Sequence, residues 1–205
     1  MRKDTLKIEK PNLLVVEGDE DDCFFDALIR YIRASNIQIV PLGGKTQLRD
    51  RLKSLVSTPN FSSVVSLGIV RDADNNPGAA FQSVCDALQY VNLPVPKRPL
   101  DPAGNQPKVA VLILPSSNSP GALEDLCLQA LAQDPAMSCV EQYFECLQHR
   151  GFSLPRTLAK AKIHVLLASK EETHKWLGVA AKAGYLPLDD ATFDHVKCFL
   201  NIISS

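Results

Sequence analysis

Three apolar runs constrain this chain more than any other feature: Leu13-Leu14-Val15-Val16, Val64-Val65-Ser66-Leu67-Gly68-Ile69-Val70 and Lys108-Val109-Ala110-Val111-Leu112-Ile113-Leu114. Runs without polar alternation read as strands buried on both faces, the habit of parallel sheets covered by helices on each side. Between them, apolar residues recur at helical spacing. Phe24, Phe25, Leu28, Ile29 and Ile32 follow the first run, and Leu48, Leu52 and Leu55 precede the second. Asn36-Ile37-Gln38-Ile39-Val40 is a shorter strand, ended by Gly43-Gly44. A further helix starts after Asn75-Asn76-Pro77, where an Asn cap and a Pro at the first helical position are both favoured. Strands alternating with helices over short loops predict an α/β fold: a mainly parallel four-stranded sheet flanked by helices, with right-handed crossovers.

Five prolines between 93 and 107 exclude a helix there and predict a loop, an edge excursion or a small hairpin before the strand at 108–114. Ser119-Pro120-Gly121 then opens a helix bearing Leu123, Leu126, Leu128 and Leu131. From Pro135 the texture is helical, with helices expected at about 137–149, 155–170, 172–182 and 189–200, and Asp189 or Asp190 capping the last. The chain therefore divides into an α/β unit over 10–134 and a helical extension over 135–205, packed on that unit or forming a lid.

A formal charge of −1, from 22 Lys and Arg against 23 Asp and Glu, offers no basic surplus, so nucleic-acid or membrane binding would need a local patch. The six cysteines contain no Cys-x-x-Cys pair and most sit in apolar helical patterns, which predicts buried free thiols in a reducing compartment. No apolar segment follows the charged Met1-Arg2-Lys3-Asp4, and no run approaches a membrane span, so a cytoplasmic protein with no membrane partner is expected.

The polar residues that stand out are acids at strand ends. Val16-Glu17-Gly18-Asp19-Glu20-Asp21 closes the first run and Arg71-Asp72-Ala73-Asp74 the long one. Carboxylates at the C-terminal ends of buried parallel strands converge where open α/β sheets place their ligands. Gathered there, they repel one another unless a cation intervenes, and all-oxygen donors suit Mg²⁺ or Mn²⁺. If the strand geometry persists, Asp72 and Asp74 point to the same side and grip one metal. Glu17 is placed to act as a ligand or general acid/base, and Gly18 lets backbone approach a phosphate. Glu124 and Asp125 form a third acidic cluster at the same sheet edge. The competing assignment is helix capping, since acids in a first turn are stabilised by the helix dipole. It is preferred for Asp19, Glu20 and Asp22.

The order Glu17-Gly18-x-x-Asp21, then Asp72-x-Asp74 after a later strand, resembles the TOPRIM domain of topoisomerases, primases and OLD-family nucleases. The stretch Pro120-Gly121-Ala122-Leu123-Glu124-Asp125-Leu126 is similar to a poorly characterised prokaryotic group of TOPRIM-related proteins. The resemblance covers roughly 10–130, more weakly the helical tail. It implies that Glu17 is the acid/base or first metal ligand, Asp72 and Asp74 paired Mg²⁺ (or Mn²⁺) ligands, Asp21 an outer ligand and Glu124 a ligand for a second metal. A late lysine assists in the OLD-like nucleases, and Lys162, or its neighbour Lys160, is the candidate here. The implied activity is Mg²⁺-dependent phosphoryl transfer, as a nuclease on nucleic-acid phosphodiesters. The alternative is a non-catalytic metal- or nucleotide-binding module acting through a protein partner, because these 205 residues carry neither the topoisomerase DNA-gate context nor an OLD ATPase domain.

Other motifs carry less. Leu42-Gly43-Gly44-Lys45-Thr46 lacks phosphate-loop spacing, but Lys45 lies at the same sheet edge and is a candidate phosphate contact. His195-x-x-Cys198 supplies two ligands, too few for zinc. No Gly-x-Ser-x-Gly elbow is present. The single tryptophan, Trp176, is expected in the core.

Overall fold

The computed structural model describes residues 7–43, 48–173 and 176–205. Four strands, β1 (Asn12–Val16), β2 (Ile37–Pro41), β3 (Ser66–Asp72) and β4 (Lys108–Leu114), form one sheet in the order β2-β1-β3-β4, with every neighbouring pair parallel. The fold is α/β. Helix α1 (Asp19–Tyr31) follows β1, α2 (Leu48–Val56) follows β2, and α3 (Pro77–Tyr90) follows β3. After β4 come α4 (Leu123–Ala130), α5 (Met137–His149), α6 (Leu158–Ala168), α7 (Leu177–Lys182) and α8 (Asp194–Ser204).

The strands lack alternation because both faces are buried. Leu13, Val15, Leu67, Ile69, Val109, Val111 and Ile113 share one apolar core with Leu48, Leu52 and Leu55 of α2 and Val84 and Leu88 of α3. Leu14, Val16, Val70, Ala110, Leu112 and Leu114 point the other way, into a larger core built with α1 and α4 to α8. On that side α8 lies directly against β4, β3 and β1, while α7 packs along α1, and α6 touches α4, α5 and α7. The last helix of the chain is thus a cover of the sheet itself.

Gly68 permits this. A Cβ there would lie 2.9 Å from both Ile203 Cδ1 and Phe199 Cζ. Both side chains belong to the buried stripe Val196, Phe199, Leu200 and Ile203 of α8, which follows helical spacing.

Local signals act as expected at several ends. The Asn76 side chain accepts the Ala79 N–H at 2.9 Å, with Pro77 at the first helical position. Asp190 accepts the Thr192 N–H at 2.8 Å, capping the 3-10 turn (Ala191–Phe193) that leads into α8. The proline-rich segment runs beside β4: Ala103 and Val109 exchange two backbone hydrogen bonds, and the Leu100 N–H donates to the Val111 carbonyl. It shields an edge that would otherwise present unpaired backbone.

Other expectations are corrected. The helix expected at 172–182 is only Leu177–Lys182, because Trp176 is extended (φ −126°, ψ 134°) and starts the helix as its N-cap. Cys85 and Cys127 are buried, but Cys139, Cys146 and Cys198 are exposed, all as free thiols. Their helices are amphipathic, and these three lie on the polar faces. Among the described residues no helix is long and apolar enough to cross a membrane.

Gly68→Val should force α8 off the sheet or its side chains off their rotamers, at a cost of about 1–3 kcal/mol. Urea denaturation against wild type measures this; an unchanged midpoint would show that α8 yields freely.

Candidate functional site

The pairing of β1 with β3 sets the site. Val15 lies opposite Ile69, and extending this register sets Glu17 beside Arg71, with both side chains on the same face of the sheet. Arg71 Nη1 and Glu17 Oε1 are 3.1 Å apart, and both side chains are nearly buried. The same carboxylate oxygen lies 3.4 Å from the Asp72 amide. Alternation turns Asp72 toward the opposite face, where its Oδ1 accepts the Leu123 N–H at 3.2 Å, the first amide of α4.

Helices α1 and α4 begin with the same turn. Gly18 (φ −149°, ψ −174°) and Ala122 (φ −142°, ψ −173°) hold nearly identical N-cap conformations. In each case the acid three residues later reaches back to the cap: Asp21 Oδ2 accepts the Gly18 N–H at 3.0 Å, and Asp125 Oδ2 accepts the Ala122 N–H at 2.8 Å. This is the backbone half of a capping box. Asp21 and Asp125 therefore build their helix starts, whatever else they do. Gly18 is not there for steric reasons, since a Cβ would meet nothing nearer than 3.9 Å.

Lys160 of α6 bridges the two helices, 3.0 Å from Glu20 Oε2 and 3.4 Å from Glu124 Oε1. Burial lowers the Lys160 pKa, but the hydrogen bond and charge of Glu20, together with Glu124, more than offset this and raise it overall. Among the described residues, the side-chain charges acting on Asp21 are all carboxylates. Burial and the carboxylates of Glu17, Glu124 and Glu20 raise its pKa from 3.8 to about 6, against the opposing Gly18 hydrogen bond.

These groups line an open cleft of about 540 Å³ at the C-terminal ends of β1 and β3. Glu17, Asp19, Glu20, Asp21, Asp72 and Glu124 contribute six acids, Lys160 one base, and Gly18, Gly43, Leu123 and Trp176 complete the described wall. Of the residues singled out in the sequence, the cleft brings together Glu17, Gly18, Asp21, Asp72, Glu124 and Lys160.

Others are elsewhere. Asp74 is not in the cleft wall. The strand ends at Asp72, Asp74 takes φ +49°, and its backbone exchanges two hydrogen bonds with Gly121, so the extended geometry that would align the two aspartates is lost. Lys162 pairs with Glu141 of α5 at 2.6 Å. Two residues apart on a helix, Lys160 and Lys162 point in nearly opposite directions, so only one of them can face the cleft. Lys45 lies outside the described residues. His195 Nε2 meets the Pro115 carbonyl at 3.0 Å, a contact within the fold.

Three residues of the cleft or paired with its wall had no functional role assigned in the sequence: Arg71, Glu20 and Trp176. Arg71 would have been legible from the β1–β3 register. Glu20 was hidden because an acid in a first helical turn needs no further explanation. Trp176, expected in the core, is 49% exposed at the cleft. A second cavity, of about 600 Å³, lies between α1 and β2, where Asp26 is paired with both Arg30 and Lys182.

Among the described residues, no three His, Cys, Asp or Glu side chains meet as a ready-made metal-holding group. Among the described residues of the cleft, acids outnumber bases. One family model, described as "Protein of unknown function (DUF3226)", matches residues 11–204. No curated protein and no solved structure matches.

Arg71→Met should destabilise the fold by about 3 kcal/mol, since it leaves the buried Glu17 carboxylate without its guanidinium. Chemical denaturation checks this, and Glu17→Gln in the same chain should recover part of the loss. Asp21 supplies a pH test. Its folded pKa lies above its unfolded value, so its stabilising contribution is complete below about pH 4 and is lost as pH rises through about 6. The shift corresponds to at most about 3 kcal/mol. Asp21→Asn, which keeps the cap acceptor, should gain stability relative to wild type by up to that amount between pH 4 and pH 7. A pH-independent difference between the two would show that Asp21 ionises normally.

Proposed function

We propose that this chain, which belongs to the DUF3226 family, binds a divalent cation in the acidic cleft and catalyses phosphoryl transfer there, as a nuclease on nucleic-acid phosphodiesters. One observation carries the reading: acids from the ends of β1 and β3 and from the first turns of α1 and α4 converge on a single cleft at the C-terminal edge of a parallel sheet. The order Glu17-Gly18-x-x-Asp21 followed by Asp72 supports it through the TOPRIM resemblance, as does the neighbouring placement of Glu17 and Asp72.

The donor set fits Mg²⁺ or Mn²⁺ in chemistry, being composed of carboxylate oxygens. Asp21, Asp72 and Glu124 would hold the ion. When bound, it would polarise a phosphoryl oxygen and lower the pKa of an attacking water. Glu17, held by Arg71, would take that water's proton. Lys160 would offset negative charge developing on the phosphoryl oxygens.

A second reading, a non-catalytic binding module that works through a protein partner, is favoured by one feature. Arg71 already neutralises Glu17, and Lys160 already pairs with Glu20 and Glu124, so protein cations do part of the work a metal would do.

Calorimetric titration of Mg²⁺ and Mn²⁺ into wild type and Asp72→Asn separates the two. The Asn variant keeps an acceptor for the Leu123 amide, so its fold should persist. Specific binding weakened at least about tenfold by the substitution, with Mg²⁺-dependent cleavage of oligonucleotides lost in parallel, is the expected result. A folded wild type that takes up neither ion at millimolar concentration would leave the acids as helix caps and ion-pair partners, and the second reading would replace the first.

A further inference from the structure

We propose that Trp176 is a stacking platform for an unpaired nucleobase, so that the ligand of the acidic cleft is a nucleotide unit in single-stranded or free form; this specifies the substrate of the reading above and rests on it. Among the described residues, several large apolar side chains are exposed, but only Trp176 lines this cleft. Half of its surface remains in water, where an indole gains nothing from burial. Leu123 supplies further apolar wall, and Lys160 supplies a cation on the same cleft. A flat aromatic face beside a cation and a set of acids able to recruit metal matches the two ends of a nucleotide, base and phosphate. A volume of about 540 Å³ falls in the range of small-ligand pockets. A duplex offers Trp176 no free base face, because its bases already stack on one another.

The position is also built. Trp176 is the N-cap of α7, and its carbonyl accepts the Ala180 N–H at 3.1 Å. Two residues later, Gly178 lets α7 meet α1 at backbone distance. A Cβ on Gly178 would lie 2.3 Å from Cys23 Cβ, 2.6 Å from the Glu20 carbonyl and 2.9 Å from the Phe24 nitrogen. The turn of α1 that carries Glu20 and Asp21 into the cleft is therefore the turn against which α7 is clamped. The backbone that carries Trp176 and the turn that carries Glu20 and Asp21 are thus joined by one close contact.

Trp176 is the only tryptophan in the chain, so its fluorescence reports on this site alone. The intact protein is titrated, with Ca²⁺ and separately with chelator, against adenosine, adenosine 5′-monophosphate, a short oligodeoxythymidine, the same oligothymidine annealed to its complement, and ribose 5-phosphate. Quenching by the base-bearing unpaired ligands and none by ribose 5-phosphate is expected. By equilibrium dialysis, Trp176→Ala should weaken binding of the monophosphate or the oligonucleotide by about 5- to 100-fold, and Trp176→Phe less, with Mg²⁺ affinity unchanged in both. The monophosphate and oligonucleotide arms tell a free nucleotide from a strand. No quenching by any base-bearing ligand, equal quenching by the duplex, or undiminished binding by Trp176→Ala would each overturn the proposal. Adenosine has no phosphate and separates the two readings. Its quenching in chelator would uphold the stack even where Mg²⁺ fails to bind, whereas Mg²⁺ binding with no base-dependent quenching would leave the metal site standing and remove Trp176 from it.

Discussion

The parallel pairing of β1 with β3 is the contact on which the rest of this molecule depends. Its register puts Leu13 beside Leu67 and Val15 beside Ile69, and carries on to put Glu17 beside Arg71. Slipping by a single residue would turn each side chain to the opposite face, taking core residues out of their layers and separating the buried ion pair. The apolar content of both strands and the charge pair beyond them enforce the same alignment. A buried glutamate is costly without its guanidinium, so the charge at the strand end works as a lock on the register as well as a feature of the cleft.

Around that lock, the cleft is a problem in charge balance. Two helices start at the same sheet edge with their amides facing the opening, and their N3 acids clasp the cap residues. Asp72 is spent in part on the first amide of α4. Lys160 ties the two helices together through Glu20 and Glu124. Asp21, surrounded among the described residues by carboxylates, is a group whose ionisation becomes costly. The helix dipoles and Lys160 tolerate part of the negative charge, and the rest is what a cation from solution would relieve.

The last helix and the first strands belong to one packing problem. Gly68 has no Cβ, α8 fills the space, and the stripe Val196, Phe199, Leu200 and Ile203 completes the core over the sheet. Helices α6 and α7, from the same C-terminal part of the chain, bring Lys160 and Trp176 to the cleft. A segment that looks like an appendage in one dimension supplies both the cover of the sheet and part of the wall of the site.

The sequence by itself determined the strands, the parallel sheet and the presence of most helices, because these follow from local causes: unbroken apolar runs, helical periodicity, the Asn76 cap, and proline density beside β4. It also placed Glu17 and Asp72 at strand ends, hence at one edge. Only the tertiary structure decided which charges meet. The contact of Lys160 with Glu20 joins residues 140 positions apart, and no local pattern distinguishes Lys160 from Lys162. The loss of Asp74 from the cleft follows from a backbone turn and a bridge to Gly121. Trp176 stands extended at the start of α7, outside the buried face, and is exposed, where the sequence pointed to the core. Propensity acts over a turn or two of chain, whereas a site is made of side chains that meet only when distant faces pack, and that packing is settled by the whole core at once.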